Sequence, residues 1–552
     1  MCGSMPASDG DRDRGFFGHP IGLSTLFFTE MWERFSYYGM RAFLVLYMVA
    51  KLDEGGRGMS DGSAGVVMAL YTSSVYLLSL PGGWIADRFV GQRRAVIYGG
   101  LGIMLGNLIL ALPIDALFYP GLGVIALGTG MLKPNISTIV GQLYGADDPR
   151  RDAGYTIYYM GINIGALVAP LACGFLAQSD TFQGFLADQG INPKLCWHFA
   201  FAAAAVGMAA GVGQYMLGWR RLGEAGLRPT IPTDPARAAR DRTVLGVILG
   251  AVAAIIALFA GLSVAGVELS EDLIGNVFGV GLLLGAIALF YGLLKGARDH
   301  DERARITAIL PLFVGAIAFF AAFEQASTTL SLYAERFVHR EWLGVSLPAS
   351  YWQSANSVFV LALAPVAAFV WISLARRKRE PMDVKKFSIG MIFTALSFAV
   401  LTPSIGAITD LTSAYSLVKD VPYLESVIDA GVDPMRVSAN YLVIYYLGAT
   451  LAELCISPVG LSSMSKLAPQ RMAGMVMGTW FLATAIGNYL AGRAAGFSAD
   501  KGYGFLFYTL IIGALVVSAG LYAVAPMIKR MMSGSGSLPK ASVVSQPTQP
   551  TE

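Results

Sequence analysis

Runs of about 20 apolar residues, the length of a membrane-spanning helix, recur along the chain and restrict its fold more than any other feature. A helix of this kind crosses a bilayer with its backbone hydrogen bonds made internally. Only 14% of the 552 residues are charged, against roughly 25% in soluble domains, and the mean hydropathy is +0.56. The sequence therefore predicts an all-α polytopic membrane protein.

The apolar runs predict fourteen spanning helices in an order of six, two and six. They lie at 21–50, 64–87, 93–113, 119–142, 154–177, 197–219, 243–266, 274–296, 306–333, 350–375, 387–408, 436–463, 471–497 and 504–527. The predicted segments are a cytoplasmic N-terminus (1–20), a six-helix bundle (21–220), a linker with two additional helices (221–300), a second six-helix bundle (301–530) and a disordered cytoplasmic tail (531–552).

The charges of the loops support this count and give an orientation. Lysine and arginine cluster after the even-numbered predicted helices, whereas the loops at 113–120 and 266–272 contain neither. Positively charged loops stay on the cytoplasmic side of a membrane, so both termini are predicted to be cytoplasmic. The two middle helices carry almost no charge at membrane depth and are predicted to pack at the side.

The first predicted helix carries a polar stripe in which an ionisable side chain recurs at almost every turn. The side chains at i, i+3, i+4, i+7, i+8 and i+11 are Glu30, Glu33, Arg34, Tyr37, Tyr38 and Arg41. Residues at this spacing share one face of a helix. Each charge near the bilayer centre costs at least ~2.5–3.5 kcal/mol, so the stripe is predicted to line water or to pair with other charges.

Other predicted helices carry polar groups at similar depth. The candidates are Lys133, Asn163, Glu324, Asn356, Glu453, Ser457 and Trp480. Lys133 lies next to Pro134 and about ten residues from either helix end, too far to reach water along the lipid face. Single asparagine or tryptophan residues are as often packing residues in membrane helices, so those candidates rest on weaker grounds than the charged ones.

Three bases and four acids at membrane depth are divided between the two sets of six helices: Arg34, Arg41, Lys133, Glu30, Glu33, Glu324 and Glu453. Near-balanced charges with several tyrosines suit a zwitterion, whose carboxylate binds arginine or lysine and whose ammonium binds an acid. Charges shared by two bundles suit a transporter with a site between them.

Other classes of function fit the sequence less well. It contains no HExxH motif, no Ser/His/Asp set and no phosphate-binding loop, so an enzyme is not expected. A net charge of +3 gives no reason to expect nucleic acid. A channel would repeat its charges in a ring, and the four scattered cysteines suggest neither a metal site nor a redox site. We expect no metal and no cofactor.

The loop after the second predicted helix, Gly82-Gly83-Trp84-Ile85-Ala86-Asp87-Arg88-Phe89-Val90-Gly91-Gln92-Arg93-Arg94, resembles a signature of the major facilitator superfamily. In this reading Asp87 meets basic groups or a helix N-terminus of the neighbouring bundle. Asp87 is therefore predicted to latch the cytoplasmic side.

Further motifs resemble those of the proton-dependent oligopeptide transporters, a branch of that superfamily. They are Glu30-x-x-Glu33-Arg34-Phe35-x-Tyr37-Tyr38-Gly39, Gly128-Thr129-Gly130-x-x-Lys133-Pro134-Asn135, Tyr158-Tyr159-Met160-Gly161-Ile162-Asn163, Phe323-Glu324-Gln325 and Glu453-x-x-x-Ser457-Pro458-x-Gly460. The resemblance covers nearly the whole chain, and the two extra middle helices resemble the bacterial type. It implies the major facilitator fold, with two six-helix bundles plus two central helices.

The resemblance implies a symporter that imports di- and tripeptides with protons by alternating access across a bacterial inner membrane. It would work as a monomer within membrane lipid and be driven by the proton gradient. The alternative is a carrier of another small solute within the superfamily: a peptide-like drug, an amino acid derivative or an anion such as nitrate.

The resemblance also implies roles in peptide binding. Arg34 and Lys133, with Tyr38, would attract the peptide carboxylate, and Glu453 would bind its ammonium group. The remaining substrate-binding residues would be Asn163 and Asn356 beside that glutamate, Ser457 one turn from it, and Tyr37, Tyr76 and Trp480 in the pockets for the peptide side chains.

Proton coupling would involve Glu30 and Glu33 with Arg34, and also Glu324 and Glu453. Arg41 with Glu324 would form an outer gate, and Lys133 with Glu453 a charge pair that changes during the cycle. Animal members have a functional histidine in the second helix, whereas the matching residues 68–71 contain none. Proton coupling would therefore rest on carboxylates.

Overall fold

The computed structural model describes residues 15–145, 148–227, 229, 234–236, 238–248, 250, 270–404 and 436–533. Its first six long helices are α1 (Gly22–Val49), α2 (Asp61–Leu77), α3 (Gln92–Leu110), α4 (Phe118–Gln142), α5 (Arg151–Gln178) and α6 (Cys196–Gly218). We call α1–α6 the first half. A short helix, Ser79–Ile85, and a π-helical turn, Ala86–Val90, continue α2 to the start of α3.

A single described helix of the predicted middle pair, α7 (Glu271–Gly296), precedes the second half. The second half consists of α8 (His300–Phe323), α9 (Gln353–Arg376), α10 (Asp383–Ala399), α11 (Asn440–Leu467) and α12 (Ala473–Ser533). Gly502 has φ 83° and marks a kink where two helices join within α12. This kink separates the last two predicted spans.

Short elements connect these helices. They are 3-10 turns at Leu52–Glu54, Asp115–Leu117, Pro193–Leu195, Trp219–Leu222, Glu324–Ser327, Ala349–Trp352 and Gln470–Met472, the helices Asp180–Asp188 and Thr329–Phe337, and the strands β1 (Glu341–Trp342) and β2 (Val345–Ser346). The strands pair antiparallel. The described part of the chain is thus almost entirely helical, as its sequence predicts.

The described helices occupy the predicted segments, although some of these segments are interrupted and others lie partly outside the described residues. The segment predicted at 306–333 is continuous, but the structure replaces the helix with a 3-10 turn at Glu324–Ser327. Most of the segment predicted at 243–266, the end of the one at 387–408, and most of both predicted terminal segments lie outside the described residues.

Nine helices in the described residues are long and apolar enough to cross a membrane. α1, with 28 residues, is also long enough to cross a membrane, but its charged stripe lowers its hydropathy. Polar N-caps begin several helices at the ends of apolar runs: Ser60 Oγ accepts from the Ser63 amide at 3.1 Å, and Ser270 Oγ accepts from the Leu273 amide at 3.2 Å. These bonds satisfy amides that have no partner inside the helix.

The two halves meet along two helix pairs, α2 with α12 and α5 with α9. A Cβ atom on Gly65 of α2 would lie 2.4 Å from the Gly492 carbonyl oxygen of α12, so only glycine permits this approach. Small residues allow such backbone contact in membrane helices. Polar contacts between the halves also include Ser354 Oγ, which donates to the Leu167 carbonyl at 2.8 Å.

Helix α7 packs at the periphery against α2 and α12. Only 17% of the most apolar 18-residue stretch of α7 is buried. Arg493 of α12 forms an ion pair with Asp272 of α7 at 2.6 Å. For the described helix of the middle pair, the predicted position at the side is confirmed.

Candidate functional site

The charged stripe of α1 faces the interior between the halves rather than lipid. Arg34 Nε lies 3.1 Å from Glu30 Oε1 and also pairs with Glu33. Tyr158 of α5 donates to Glu30 Oε2 at 2.6 Å. All three charged residues are at most 3% exposed, so two buried carboxylates share one guanidinium inside the first half.

Arg41, two turns further along α1, connects the halves. Its guanidinium pairs with Glu324 and donates to the Ser327 hydroxyl at 2.7 Å. Both acceptors lie in the 3-10 turn Glu324–Ser327, which directly follows α8. This turn therefore places two acceptors against one arginine of the first half, as the resemblance implies for Glu324.

A cavity of about 240 Å³ lies between the halves next to these groups. It is slightly below the ~300–1,000 Å³ of typical small-molecule sites. The predicted site residues that line it are Glu30, Arg34, Tyr38, Arg41, Tyr76, Lys133, Asn163, Glu324, Asn356 and Glu453. The sequence motifs, which are far apart in the chain, thus converge on one volume.

Two charges that line the cavity, one from each half, differ from the rest. Lys133 of α4 has its Nζ 3.8 Å from the centre of the Tyr76 ring. Glu453 of α11 accepts a hydrogen bond from Asn356 at 3.0 Å. Among the described residues neither has an oppositely charged partner within 4 Å. The cavity thus presents a cation from one half and an anion from the other.

Arg34 also has unused hydrogen-bonding capacity. Its Nε faces the two neighbouring glutamates, but its Nη2 has no hydrogen-bond partner among the described residues. A buried donor without an acceptor costs about 1–3 kcal/mol. A ligand carboxylate in the cavity would supply the missing acceptor.

Five predicted site residues do not line the cavity: Glu33, Tyr37, Ser457, Trp480 and Asp87. Glu33 and Tyr37 lie behind the wall next to Arg34, whose guanidinium is 5.2 Å from the Tyr37 ring centre. Trp480 packs edge-on against Phe320, 5.7 Å away between ring centres. In this conformation Tyr37 and Trp480 support the wall rather than form pockets.

Asp87 makes a different contact from the one predicted. Its carboxylate accepts a hydrogen bond from Gln92, the first residue of α3, at 2.8 Å. In the described part of the chain, it therefore contacts the first residue of a helix in its own bundle rather than the neighbouring bundle. In this conformation the contact stays within the first half, because the short π-helical turn places Asp87 beside the start of the next helix.

The expected pairing of Lys133 with Glu453 is also not formed in this conformation, although both line the cavity. Instead Tyr76 covers the lysine and Asn356 binds the glutamate. Both neutral partners leave the charges available. The proposed change of this pair during the cycle stays a prediction.

Sequence reasoning missed several aromatic and polar cavity residues: Tyr159, Phe320, Phe323, Gln353, Tyr445 and Tyr446. Tyr159 shares a helix face with Asn163, and this spacing favours a place for both in the cavity wall. Tyrosines near helix ends are also common interface anchors, so the spacing alone does not assign Tyr159 to the cavity. No cluster of three or more His, Cys, Asp or Glu that could hold a metal occurs in the described residues.

A second ion pair between the halves lies closer to the predicted outer surface. Arg336 binds both carboxylate oxygens of Asp61, the first residue of α2, at 2.7 and 2.8 Å. Its side chains are 40% and 14% exposed, whereas those of Arg41 and Glu324 are 7% and 6% exposed. The more exposed pair should contribute less, about 0.2–1 kcal/mol, than the buried one.

We expect Asp61→Asn to increase the opening of the predicted outer end, measured as a labelling rate, by up to about fivefold. This factor is the equivalent of about one exposed ion pair. A cysteine replacing Ala326 in the cavity wall, in a chain without native cysteines, would report opening through the rate of labelling by an impermeant maleimide from outside. Exchanging the charges, Asp61→Arg with Arg336→Asp, should restore the slow rate. Asp272→Asn, which breaks an ion pair of peripheral α7, is the control; equal acceleration there would contradict the assignment.

Comparisons with known proteins agree with this geometry. The family model described as "POT family" matches residues 93–504. The peptide transporter YePEPT of Yersinia enterocolitica is 36% identical, over 95% of this chain and 97% of its own. The di-/tripeptide transporter of Lactococcus lactis subsp. lactis is 34% identical, over 94% and 98%.

A solved structure shares the architecture. It is a POT family transporter in complex with a thioalcohol-conjugated peptide, 33% identical, with a TM-score of 0.79 over 94% of this chain and 98% of that one. The family match covers well over half of the chain, and the relatives align almost end to end. The chain therefore belongs to the POT family of membrane transporters.

Proposed function

We propose that the protein imports di- and tripeptides together with protons, as a monomer in a bacterial inner membrane with both termini cytoplasmic. The observation that carries the proposal is a pair of opposite charges lining the cavity, Lys133 from one half and Glu453 from the other, which have no ionic partner among the described residues. A peptide is a zwitterion whose ends can neutralise both. The names of the relatives support the same substrate class.

The geometry supports one orientation of the peptide. Its carboxylate would lie in the first half, between Lys133 Nζ and the unpartnered Nη2 of Arg34. Its ammonium would lie in the second half at Glu453, which Asn356 already orients. Charged hydrogen bonds at both ends would orient the peptide backbone, while aromatic residues between them would contact varied side chains.

Proton coupling follows from competition for Arg34. Glu30 and Glu33 occupy its Nε side, so they compete with the peptide carboxylate for one positive charge. Protonating one glutamate removes a competitor and strengthens peptide binding. By linkage, bound peptide then favours the protonated glutamate to the same degree. Proton and peptide would therefore cross together, without any cofactor besides the gradient.

Alternating access requires that the closed end open. Here the predicted outer end is held by the Arg41–Glu324 and Asp61–Arg336 pairs. Because these pairs join the two halves, rocking of one half against the other must break them. Protonation of Glu324 would release Arg41 and so link the outer gate to the proton.

Uptake of a labelled dipeptide into proteoliposomes tests the proposal. An inward proton gradient should drive accumulation, and a protonophore should abolish it; uptake that ignores the protonophore would contradict proton coupling. A panel of unlabelled competitors tests the alternative cargo. Di- and tripeptides should compete strongly, and nitrate or a single amino acid derivative should not.

Glu33→Gln should abolish gradient-driven uptake while leaving most of the exchange of dipeptide for dipeptide without a gradient. The glutamine keeps the shape but cannot release a proton, so only the coupled step is lost. Glu341→Gln, on the exposed strand β1, is the matched control and should keep both activities. If driven uptake and exchange fell equally, Glu33 would be assigned to peptide binding and not to coupling.

A further inference from the structure

A second cleft, far along the chain from the transport site, lies between the start of α10 and the end of α12. It has a volume of about 630 Å³. Its charged lining residues are three bases, Arg379, Lys385 and Lys529, and one acid, Glu380. None of its lining residues also lines the transport cavity. We call this feature the basic cleft.

The nearby acids do not neutralise the basic cleft. Glu380 binds buried Lys386 at 2.5 Å. Asp383 accepts from Ser463 at 2.8 Å and lies within 4 Å of both Lys386 and Lys466. Among the described residues, no carboxylate is within ion-pair distance of the three basic residues of the cleft. Its charge is therefore available to an anion.

The other wall of the basic cleft is apolar and exposed. Ile392 is 43% exposed, and Tyr522 is 61% exposed, with Lys385 Nζ lying 5.0 Å from its ring centre. Both residues lie on spanning helices on the side of the cleft toward the membrane interior. A ligand that fits must carry a negative group next to a hydrocarbon segment.

We propose that the basic cleft binds the phosphate of an anionic phospholipid in the cytoplasmic leaflet, with the start of an acyl chain against Ile392 and Tyr522. Lysine and arginine at the cytoplasmic end of spanning helices attract anionic lipid headgroups, and the loop before α10 lies on the predicted cytoplasmic face. A free phosphate ion shares the charge but makes no use of the apolar wall.

Native mass spectrometry of the full-length protein tests this proposal with phosphatidylglycerol and phosphatidylcholine as probes. The wild type should retain phosphatidylglycerol and little phosphatidylcholine. Lys385→Gln with Lys529→Gln should retain at least about tenfold less phosphatidylglycerol, because each basic residue near an anionic headgroup contributes about 1 kcal/mol, or fivefold. Lys385→Arg with Lys529→Arg should keep the binding.

Arg220→Gln with Arg221→Gln is the matched control, since these residues form another exposed basic pair on the predicted cytoplasmic face. It should behave as the wild type. If the double glutamine variant fails to fold, exposed Lys529→Gln alone should show about a fivefold loss. Equal retention of phosphatidylglycerol by all variants, or its displacement by an equal concentration of inorganic phosphate, would overturn the proposal.

Discussion

Replacing Lys133 with alanine is expected to abolish gradient-driven dipeptide uptake and to weaken dipeptide binding by roughly thirtyfold or more. Removing one partner of a buried charge pair costs about 2–5 kcal/mol, and each ~1.4 kcal/mol is a factor of ten. Lys133 is the only cation in the described cavity wall without an acidic partner. Uptake into proteoliposomes and equilibrium binding in detergent would measure the two effects.

The matched control is Lys295→Ala. Lys295 also lies over a tyrosine ring, 5.8 Å from the centre of Tyr291, but at the exposed end of α7. It should keep its uptake within about twofold, as for most surface substitutions. Full uptake by Lys133→Ala would remove this lysine from the transport path.

Glu453→Gln is expected to distinguish peptides by their amino terminus. The glutamine amide can still accept a hydrogen bond from Asn356, but it cannot neutralise an ammonium group. Affinity for a dipeptide with a free amino group should fall roughly thirtyfold, while affinity for its N-acetylated form should change less than about threefold. Equilibrium binding of both ligands would measure this difference.

The reciprocal measurement uses Lys133→Ala and a dipeptide with an amidated carboxyl terminus. That variant should bind free-acid peptides poorly and bind the amide almost as the wild type does. If Glu453→Gln instead lost as much affinity for the N-acetylated dipeptide as for the dipeptide with a free amino group, the proposed orientation would be contradicted.

The helices were predictable because a membrane leaves few solutions. An apolar run of the right length must form a helix to satisfy its backbone, and the run alone reveals it. The stripe of α1 was equally clear, since charges at membrane depth need a reason. For the same reason the sequence alone indicates Lys133 and Glu453 as candidate site residues.

The partners of these residues were not readable to the same extent. Whether Trp480 faces a cavity or packs on Phe320 depends on the rotation of its helix about its axis, and hydropathy does not fix that rotation. The hydrogen bond from Tyr158 to Glu30 and the ion pair of Asp61 with Arg336 join distant segments. A sequence shows each partner but not their distance.

The break after α8 was missed for a different reason. The residues of Glu324–Ser327 follow a long apolar run and include neither proline nor glycine, so a regular helix would also accommodate them. The turn presents two acceptors to Arg41 of α1, Glu324 and Ser327, from a segment distant in the sequence. Tertiary contacts of this kind override local helix propensity.

An experimental structure with a bound dipeptide would test the orientation of the substrate most directly. We predict density across the cavity, with the peptide carboxylate about 3 Å from Arg34 Nη2 and Lys133 Nζ and the ammonium about 3 Å from the Glu453 carboxylate, as charged hydrogen bonds require. Density with the two ends exchanged, or a peptide bound outside this cavity, would contradict the account.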